Sequence, residues 1–458
     1  MLRTLILGAG PAGAATALFL ARRGHAVTIL DRDPGWPIGE SPTRRSVPHM
    51  SQGHSFLALG TRILSTEVPD VVDSLLAAGA VRVPLPHDSS HWNLLSRRQL
   101  FDAVLRDSLS KERGVSYLPG TAATGLLVEH KSAASGHVFG VTTRDHDILA
   151  DVVVDACGCR SPIPRWLAAH QIELKTFSDS SPFCYLTRHY RLRSSASFPS
   201  VRIPIILTLD YTSVLAFPED NGRFQLTVQL LRADPSRRAL RDAATFDRFL
   251  AELPAMAPWL EAGEPIGEPE IVGTVGNGRR QTFFGRPLVT GLLLVGDAAF
   301  YSNPSAARGV ALGLAHARAL ADVLHDASQR RCDPATTTET WERVTSELFD
   351  PHLENQVRID RQRMAQIQCS LEGRPWHGAT DTHRMAQALL ELRDCDVVGA
   401  AADRVFNLLS TTQEFSGSPD VMRRILRRMR EASTARPSLG PSRQEYERLV
   451  GGRGPAAT

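Results

Sequence analysis

The stretch Gly8-Ala9-Gly10-Pro11-Ala12-Gly13 carries three glycines in the spacing G-x-G-x-x-G. In that spacing the first glycine permits a tight turn and the second lets a pyrophosphate approach the backbone. The third allows a helix to pack closely on a strand. A helix N-terminus that follows adds unpaired N–H groups and positive dipole charge. Asp31 stands at the end of the next apolar run with Arg32 beside it, placed to accept a hydrogen bond from a ribose hydroxyl. The chemistry this predicts is dinucleotide binding; the plain alternative is an ordinary strand-to-helix turn. Far downstream the same grammar returns in LLLVGDAAFYSNPSAARGVALGLAHA, where Gly296 and Asp297 end an apolar run and Gly309 opens a small-residue helix.

Elements must hold these groups in register. Residues 2–7 read as a buried strand, 11–23 as a helix stopped by Gly24, and 25–30 as a second strand. A Pro-, Gly-, Ser- and Arg-rich segment covers 33–53. Helical spacing returns at 55–64, 70–78 and 98–114, followed by short strands ending in DVVVDACG. Between 176 and 284 polar and apolar residues alternate, as in half-exposed antiparallel strands, with one helix over 243–253. A helix is expected over 310–324 and mostly helix over 337–433. The predicted fold is α/β: a Rossmann-like dinucleotide-binding domain (1–175 and 285–330) with an inserted antiparallel-sheet domain (176–284). A helical C-terminal region (331–435) and a tail expected to be mobile (436–458) complete it.

The totals agree with a globular chain of more than one domain: 458 residues, 42% hydrophobic and 22% charged. A net charge of +3, without a basic block or interleaved aromatics, gives no reason to expect a nucleic-acid partner. Six cysteines include no C-x-x-C pair, so reduced thiols are expected. The N-terminal apolar run is too short and glycine-broken for a signal peptide, and no segment is long and apolar enough to span a bilayer. A cytoplasmic protein is the expectation.

With the first glycine motif, VVVDACGCRSPIPRWLA and the late GDAAFYSNPSAARG stretch, the chain resembles the FAD-dependent monooxygenases of the para-hydroxybenzoate hydroxylase type. The central segment puts Asp155, Gly158, Arg160, Ser161 and Arg165 in matching places, with the usual Asp-Gly lengthened to Asp-Ala-Cys-Gly. The resemblance implies that FAD is the cofactor, with its phosphates on Gly8, Gly10, Ala12 and Gly13. Asp297, after Gly296, would hold the ribitol, Pro304 would flank the isoalloxazine ring, and Arg308-Gly309 would open a helix toward its pyrimidine edge. Unpaired helix N–H groups stabilise the charge of reduced flavin. Ala306 and Ala311 stand where the family more often has Gly and Asn.

RRSVPHMSQGHSFLALG, 44–60, is similar to the R-x-G-V-P-Q-x-x-H-x-H-x-L pattern of actinomycete flavin monooxygenases, a group that includes polyether epoxidases. Val47, Pro48 and His54 match; His49 replaces Gln, and Gln52 the first His. This likeness makes Arg45 a candidate flavin contact, and Arg98 and Asp102 in RQLFD resemble the family's R-x-x-L-D helix start, whose arginine reaches the cofactor. YLTRHYRLR, 185–193, is similar to a strand that opens the family's substrate domain. Pro304, His49 and Arg308 are the residues expected to flank the flavin, and no other catalytic side chain is singled out. The implied reaction is oxygen transfer from a flavin C4a-hydroperoxide to an aromatic or alkene small molecule in secondary metabolism. Dioxygen is then a co-substrate, and NAD(P)H or a partner flavin reductase supplies electrons.

Three rival readings remain open. Halogenases of the neighbouring family use a tunnel lysine and a W-x-W-x-I-P segment; here no lysine precedes Lys111 and no two tryptophans lie two apart. An alkene reductase resembling geranylgeranyl reductases would share the fold without the oxygen chemistry. A non-catalytic FAD-fold binding protein is the third. His87 and His91 have the i, i+4 spacing of a metal pair, but HDSSH follows two prolines; a loop is expected there and no metal.

Overall fold

The computed structural model describes residues 2–40, 47, 49–132, 135–201, 205–273, 276–374, 376, 380–431 and 439–451. Arg3–Leu7 is the central strand of a five-stranded parallel sheet. Ala26–Asp31 and then Val115–Pro119 lie on one side; Val152–Asp155 and then Leu292–Leu294 lie on the other. Apart from the edge strand Val115–Pro119, its strands are near-continuous apolar runs because packed elements cover both faces. The register sets Leu7 beside both Leu30 and Asp155, and Leu294 beside Asp155. Four strand ends thus reach one edge, where open parallel sheets bind ligands.

Gly10 caps helix Pro11–Arg22, and Pro11 at its first position has the fixed φ a helix start needs. Gly13 through Leu20 is buried without a break, because the sheet lies on one side and helix Gly309–Arg330 packs on the other. Small residues permit the approach. A Cβ at Gly296 would lie 2.7 Å from that of Ala12, and one at Gly313 would lie 3.7 Å away. The two glycine-bearing segments, far apart in sequence, touch through Ala12.

The inserted antiparallel sheet runs in the order Ile206–Thr208, Ser213–Pro218, Arg223–Leu231, Phe183–Leu192, Gly263–Gly273. Its central strands are not half-exposed as the alternation predicts; both faces are buried. Leu226, Val228 and Leu230 pack with Phe246 and Phe249 of helix Ala243–Ala251. The intervening Gln225, Thr227 and Gln229 are also buried, because their face turns toward the parallel-sheet unit. Alternation reports two chemically different faces, and here the polar one meets protein instead of water.

The C-terminal tail and the HDSSH segment both carry regular structure. Within the tail expected to be mobile, Arg443–Val450 is a helix with a Ser442/Glu445 capping box. Tyr446 and Val450, one turn apart, enter the core of the inserted domain, and the Tyr446 hydroxyl donates to Ser236 Oγ at 2.6 Å. The HDSSH segment is not a loop but part of a hairpin, Val81–Leu85 with Asp88–Leu95. His87 bonds Asp403 at 2.9 Å and His91 bonds Asp88 at 3.0 Å, so the two rings serve separate carboxylates. Among the described residues no His, Cys, Asp and Glu group could hold a metal, and no helix is long and apolar enough to cross a membrane.

Candidate functional site

The three N-terminal glycines face three different environments. Gly8 has φ +102°, and a Cβ there would come within 2.7 Å of the Ala156 carbonyl oxygen. At Gly13 it would lie 1.9 Å from the Gly8 carbonyl oxygen. At Gly10 it would meet nothing within 4 Å. The first and third positions are closed by protein and the second opens onto space beside a helix N-terminus, the arrangement a pyrophosphate requires.

That space belongs to one cleft of about 370 Å³, within the range of small-molecule sites. Asp31, Arg32, Gly10, Ala12, Gly296 and Asp297 all line it. So do Pro304, Gly309 and the inserted sheet's Tyr185, Leu215, Phe217, Thr227 and Val272. Gly10 and Asp297 therefore share a wall, as the sequence argument demands.

Asp31 is a buried organiser of the glycine loop. Its Oδ2 accepts from the Ala9 N–H and from Arg106 Nη2, both at 2.8 Å, and its Oδ1 accepts from the Asp33 N–H at 2.8 Å. Arg106 escaped sequence reasoning; it also stacks on Trp36, with its guanidinium carbon 4.7 Å from the ring centroid.

Asp155 plays a similar part in the central motif, accepting from the Cys157 N–H and the Ser161 hydroxyl. It shapes the turn rather than lining the cleft. Burial pushes the Cys159 thiol up to about 11, so it stays protonated at neutral pH and is a poor nucleophile. All six cysteines are free.

The late motif is held by a histidine. Gly296, with φ +58°, donates its N–H to His316 Nδ1 at 3.0 Å, and His316 Nε2 lies 3.0 Å from Thr345 Oγ1. Thr345 donates onward to the Trp341 carbonyl, so Nε2 carries the ring proton. The imidazole stacks on Trp341 with centroids 4.3 Å apart, and burial holds its pKa well below the ordinary histidine range. A polar residue on the buried face of a helix built from Ala, Gly and Leu was the signal that could have found it. His316→Gln should cost about 2 kcal/mol at pH 7.5, through a misplaced partner for a buried N–H. Wild type loses its neutral-histidine advantage as pH falls below about 6.5, so the gap between the proteins should narrow by up to ~1.4 kcal/mol per pH unit. Urea denaturation of both proteins from pH 7.5 to 5 checks the size and the sign.

Asp297 lies on the cleft floor. Burial raises its carboxyl to about 6, and the charges of Arg98 and Arg280 pull the other way. Arg98 lines the cleft, bonded to Asp102 Oδ1 at 2.5 Å and donating to His54 Nε2 at 3.2 Å. His54 Nδ1 donates to the Gln52 carbonyl, so the ring is neutral. Arg280, which sequence reading did not single out, donates to the Cys159 carbonyl at 2.5 Å and the Ala298 carbonyl at 3.0 Å, tying the central motif to the late one. Asp297→Ala should weaken FAD binding about tenfold, the ~1.4 kcal/mol of a charge-assisted hydrogen bond, as read by fluorescence titration.

Pro304 and Gly309 line the cleft, and a Cβ at Gly309 would meet nothing within 4 Å. His49 also lines it, its pKa lowered to about 4 by burial and by Arg98 and Arg160. Arg308 differs: its side chain is not part of the lining and lies where its charge lowers the pKa of His352. Arg45 lies outside the described residues.

An open second glycine, a helix N-terminus and a buried carboxyl lining the same cleft fit a dinucleotide. Residues 1–338 match the family described as "FAD binding domain". The chain belongs to that family. In this FAD-binding chain Gly8–Gly13 and Asp31 would hold the ADP half and Asp297 the ribitol.

Among curated proteins, the menaquinone reductase of Mycobacterium tuberculosis (strain H37Rv) is 26% identical over 74% of this chain and 80% of its own length. Among solved structures, pqsL of Pseudomonas aeruginosa, described as a probable FAD-dependent monooxygenase, superposes with a TM-score of 0.61. It is 17% identical, covering 80% of this chain and 96% of that one. The flavin-dependent halogenase CmlS also gives a TM-score of 0.61, at 18% identity, covering 94% of this chain and 77% of that one. At such identities the two structures establish the fold. The family match and the reductase relative together make the chain an FAD-dependent oxidoreductase.

Proposed function

We propose that this chain is a monooxygenase that transfers one atom of dioxygen to an uncharged aromatic or alkene small molecule, by hydroxylation or epoxidation, in secondary metabolism. The observation that carries the reading is the inserted sheet's share of the cleft lining. Leu215, Phe217 and Val272 line the same cleft as Pro304, and among the described residues the inserted sheet contributes no charged side chain to that lining. FAD held in the cleft would, once reduced, pass the electrons to dioxygen and so activate it. The apolar sheet residues exclude water from the reacting end, and the N-terminus of helix Gly309–Arg330 presents unpaired N–H groups to negative charge there. NAD(P)H or a partner flavin reductase is the proposed source of electrons.

Among the described residues that line the cleft none is a lysine, which argues against halogenation by the tunnel-lysine route. A second reading, reduction of an alkene, has a specific support in the similarity to the menaquinone reductase. One experiment separates them. The FAD-loaded protein is given NAD(P)H, or a flavin reductase, and a panel of polyenes and polycyclic aromatics under ¹⁸O₂. Label in the product supports the monooxygenase; a product that gains two hydrogens without needing oxygen replaces it with a reductase. Bromide-dependent products replace it with a halogenase, and a chain that takes up no FAD is a non-catalytic fold relative.

A further inference from the structure

Pro304 is fastened on both sides by buried side chains. Asn303, 2% exposed, donates its backbone N–H to Asn277 Oδ1 at 2.8 Å and its Nδ2 to Asp360 Oδ1 at 2.9 Å. Its Oδ1 accepts from the Tyr185 hydroxyl at 2.9 Å, and Gln229 Nε2 donates to that hydroxyl at 2.9 Å. On the other side, Gln356 Nε2 bridges Ser305 Oγ and Asp360 Oδ1. Asn277 Nδ2 completes the shell of Asp360 at 2.9 Å. Asp360 thus accepts from three amide groups, and burial raises its carboxyl above the ordinary range.

A loop can be held by apolar packing alone, and burying a carboxylate costs free energy unless its bonds are complete. A fully satisfied polar network gives a unique geometry instead. The ends of this network define where that geometry matters. Tyr185 and Pro304 line the same cleft, and Asn303, which joins them, does not. We propose that Tyr185, Asn303 and Asp360 are positioning residues that fix Pro304 against the flavin ring and make its setting depend on what rests on Tyr185. The inference rests on reading Pro304 as the residue beside the ring, and it extends the active site to helix Asp350–Leu371.

Tyr190 supplies a control. It stands on the opposite face of the same strand, 1% exposed, with its hydroxyl donating to Asp247 at 2.6 Å. Tyr185→Phe, Tyr190→Phe and Asp360→Asn are made in the full chain and loaded with FAD. The visible spectrum and reduction potential of the bound flavin, the air-reoxidation rate after reduction, and the melting temperature are recorded. Tyr185→Phe and Asp360→Asn should shift the flavin bands and potential and change reoxidation by at least about threefold, the effect of one displaced hydrogen bond. Tyr190→Phe should lower the melting temperature and leave the flavin signals unchanged. Should Asp360→Asn fail to fold, Tyr185→Phe, which keeps its ring, carries the test. Flavin signals of Tyr185→Phe that superimpose on wild type, or that Tyr190→Phe moves equally, overturn the proposal. Shifted signals with no ¹⁸O in any product leave it standing and overturn the monooxygenase reading alone. A wild-type chain that binds no FAD removes both.

Discussion

Gly10→Val should fold with the stability of the parent and bind FAD about 100-fold more weakly, whereas Gly13→Val should lose about 3 kcal/mol or more of folding stability. The difference lies in what a side chain meets. Above Gly10 there is only the open cleft, so the apoprotein has room for the isopropyl group and the overlap arises only when a pyrophosphate arrives. Severe overlap of that kind costs about 3 kcal/mol, or ~100-fold in affinity. At Gly13 the first added carbon already lies 1.9 Å from the Gly8 carbonyl oxygen and 2.9 Å from the Ala156 Cβ. Relief requires the helix to leave the sheet, at a cost of about 3 kcal/mol or more. Circular dichroism and FAD titration of the two variants read both halves. A Gly10→Val protein that binds FAD like wild type would mean that the pyrophosphate lies elsewhere.

Arg279→Ala should destabilise the protein by about 3–5 kcal/mol, the range for removing one partner of a buried ion pair. Arg279 sits in strand Asn277–Gln281, 6% exposed. Its guanidinium bonds Glu342, also buried, and Asp350 Oδ1 at 2.8 Å. The two acids belong to helices Pro334–Leu348 and Asp350–Leu371, so one cation fastens both to the sheet beside the cleft. Glu342 keeps only weaker partners without it, the Gln281 amide at 3.2 Å and the Thr282 N–H at 3.3 Å. Adding Glu342→Gln to the variant should recover part of the loss, since an amide can be buried there without an unpaired charge. Denaturant midpoints of the three proteins measure this. A loss below about 1 kcal/mol would assign the pair the small value of an exposed bridge.

The features legible in the sequence are those in which a short run of residues meets a demand of the backbone itself. Gly8, Gly10 and Gly13 answer to a turn, an approach and a close packing within six residues, and Gly296-Asp297 follows the last strand of the same sheet. Asn303, Asn277, Tyr185 and Asp360 were not legible as a group. Each is a single polar residue in a different element, and only the tertiary fold brings their amide, hydroxyl and carboxyl groups within 3 Å. The same limit hid Arg106 behind Asp31 and Arg280 between two motifs. The strand alternation from Phe183 to Leu231 separated two faces correctly but could not say that the polar one is also buried, because that depends on a neighbouring domain. In the tail, Tyr446 and Val450 carried a one-turn apolar pair that outweighs the surrounding Gly and Pro residues.

A crystal structure of the FAD complex is the most direct measurement. The pyrophosphate should lie over Gly10 at the start of helix Pro11–Arg22, the ribitol at Asp297, and the ring between Pro304 and the sheet carrying Tyr185. A dinucleotide bound with its phosphates away from Gly10, or with its ring outside the wall formed by Asp297 and Pro304, would contradict the convergence of the two segments on one cofactor.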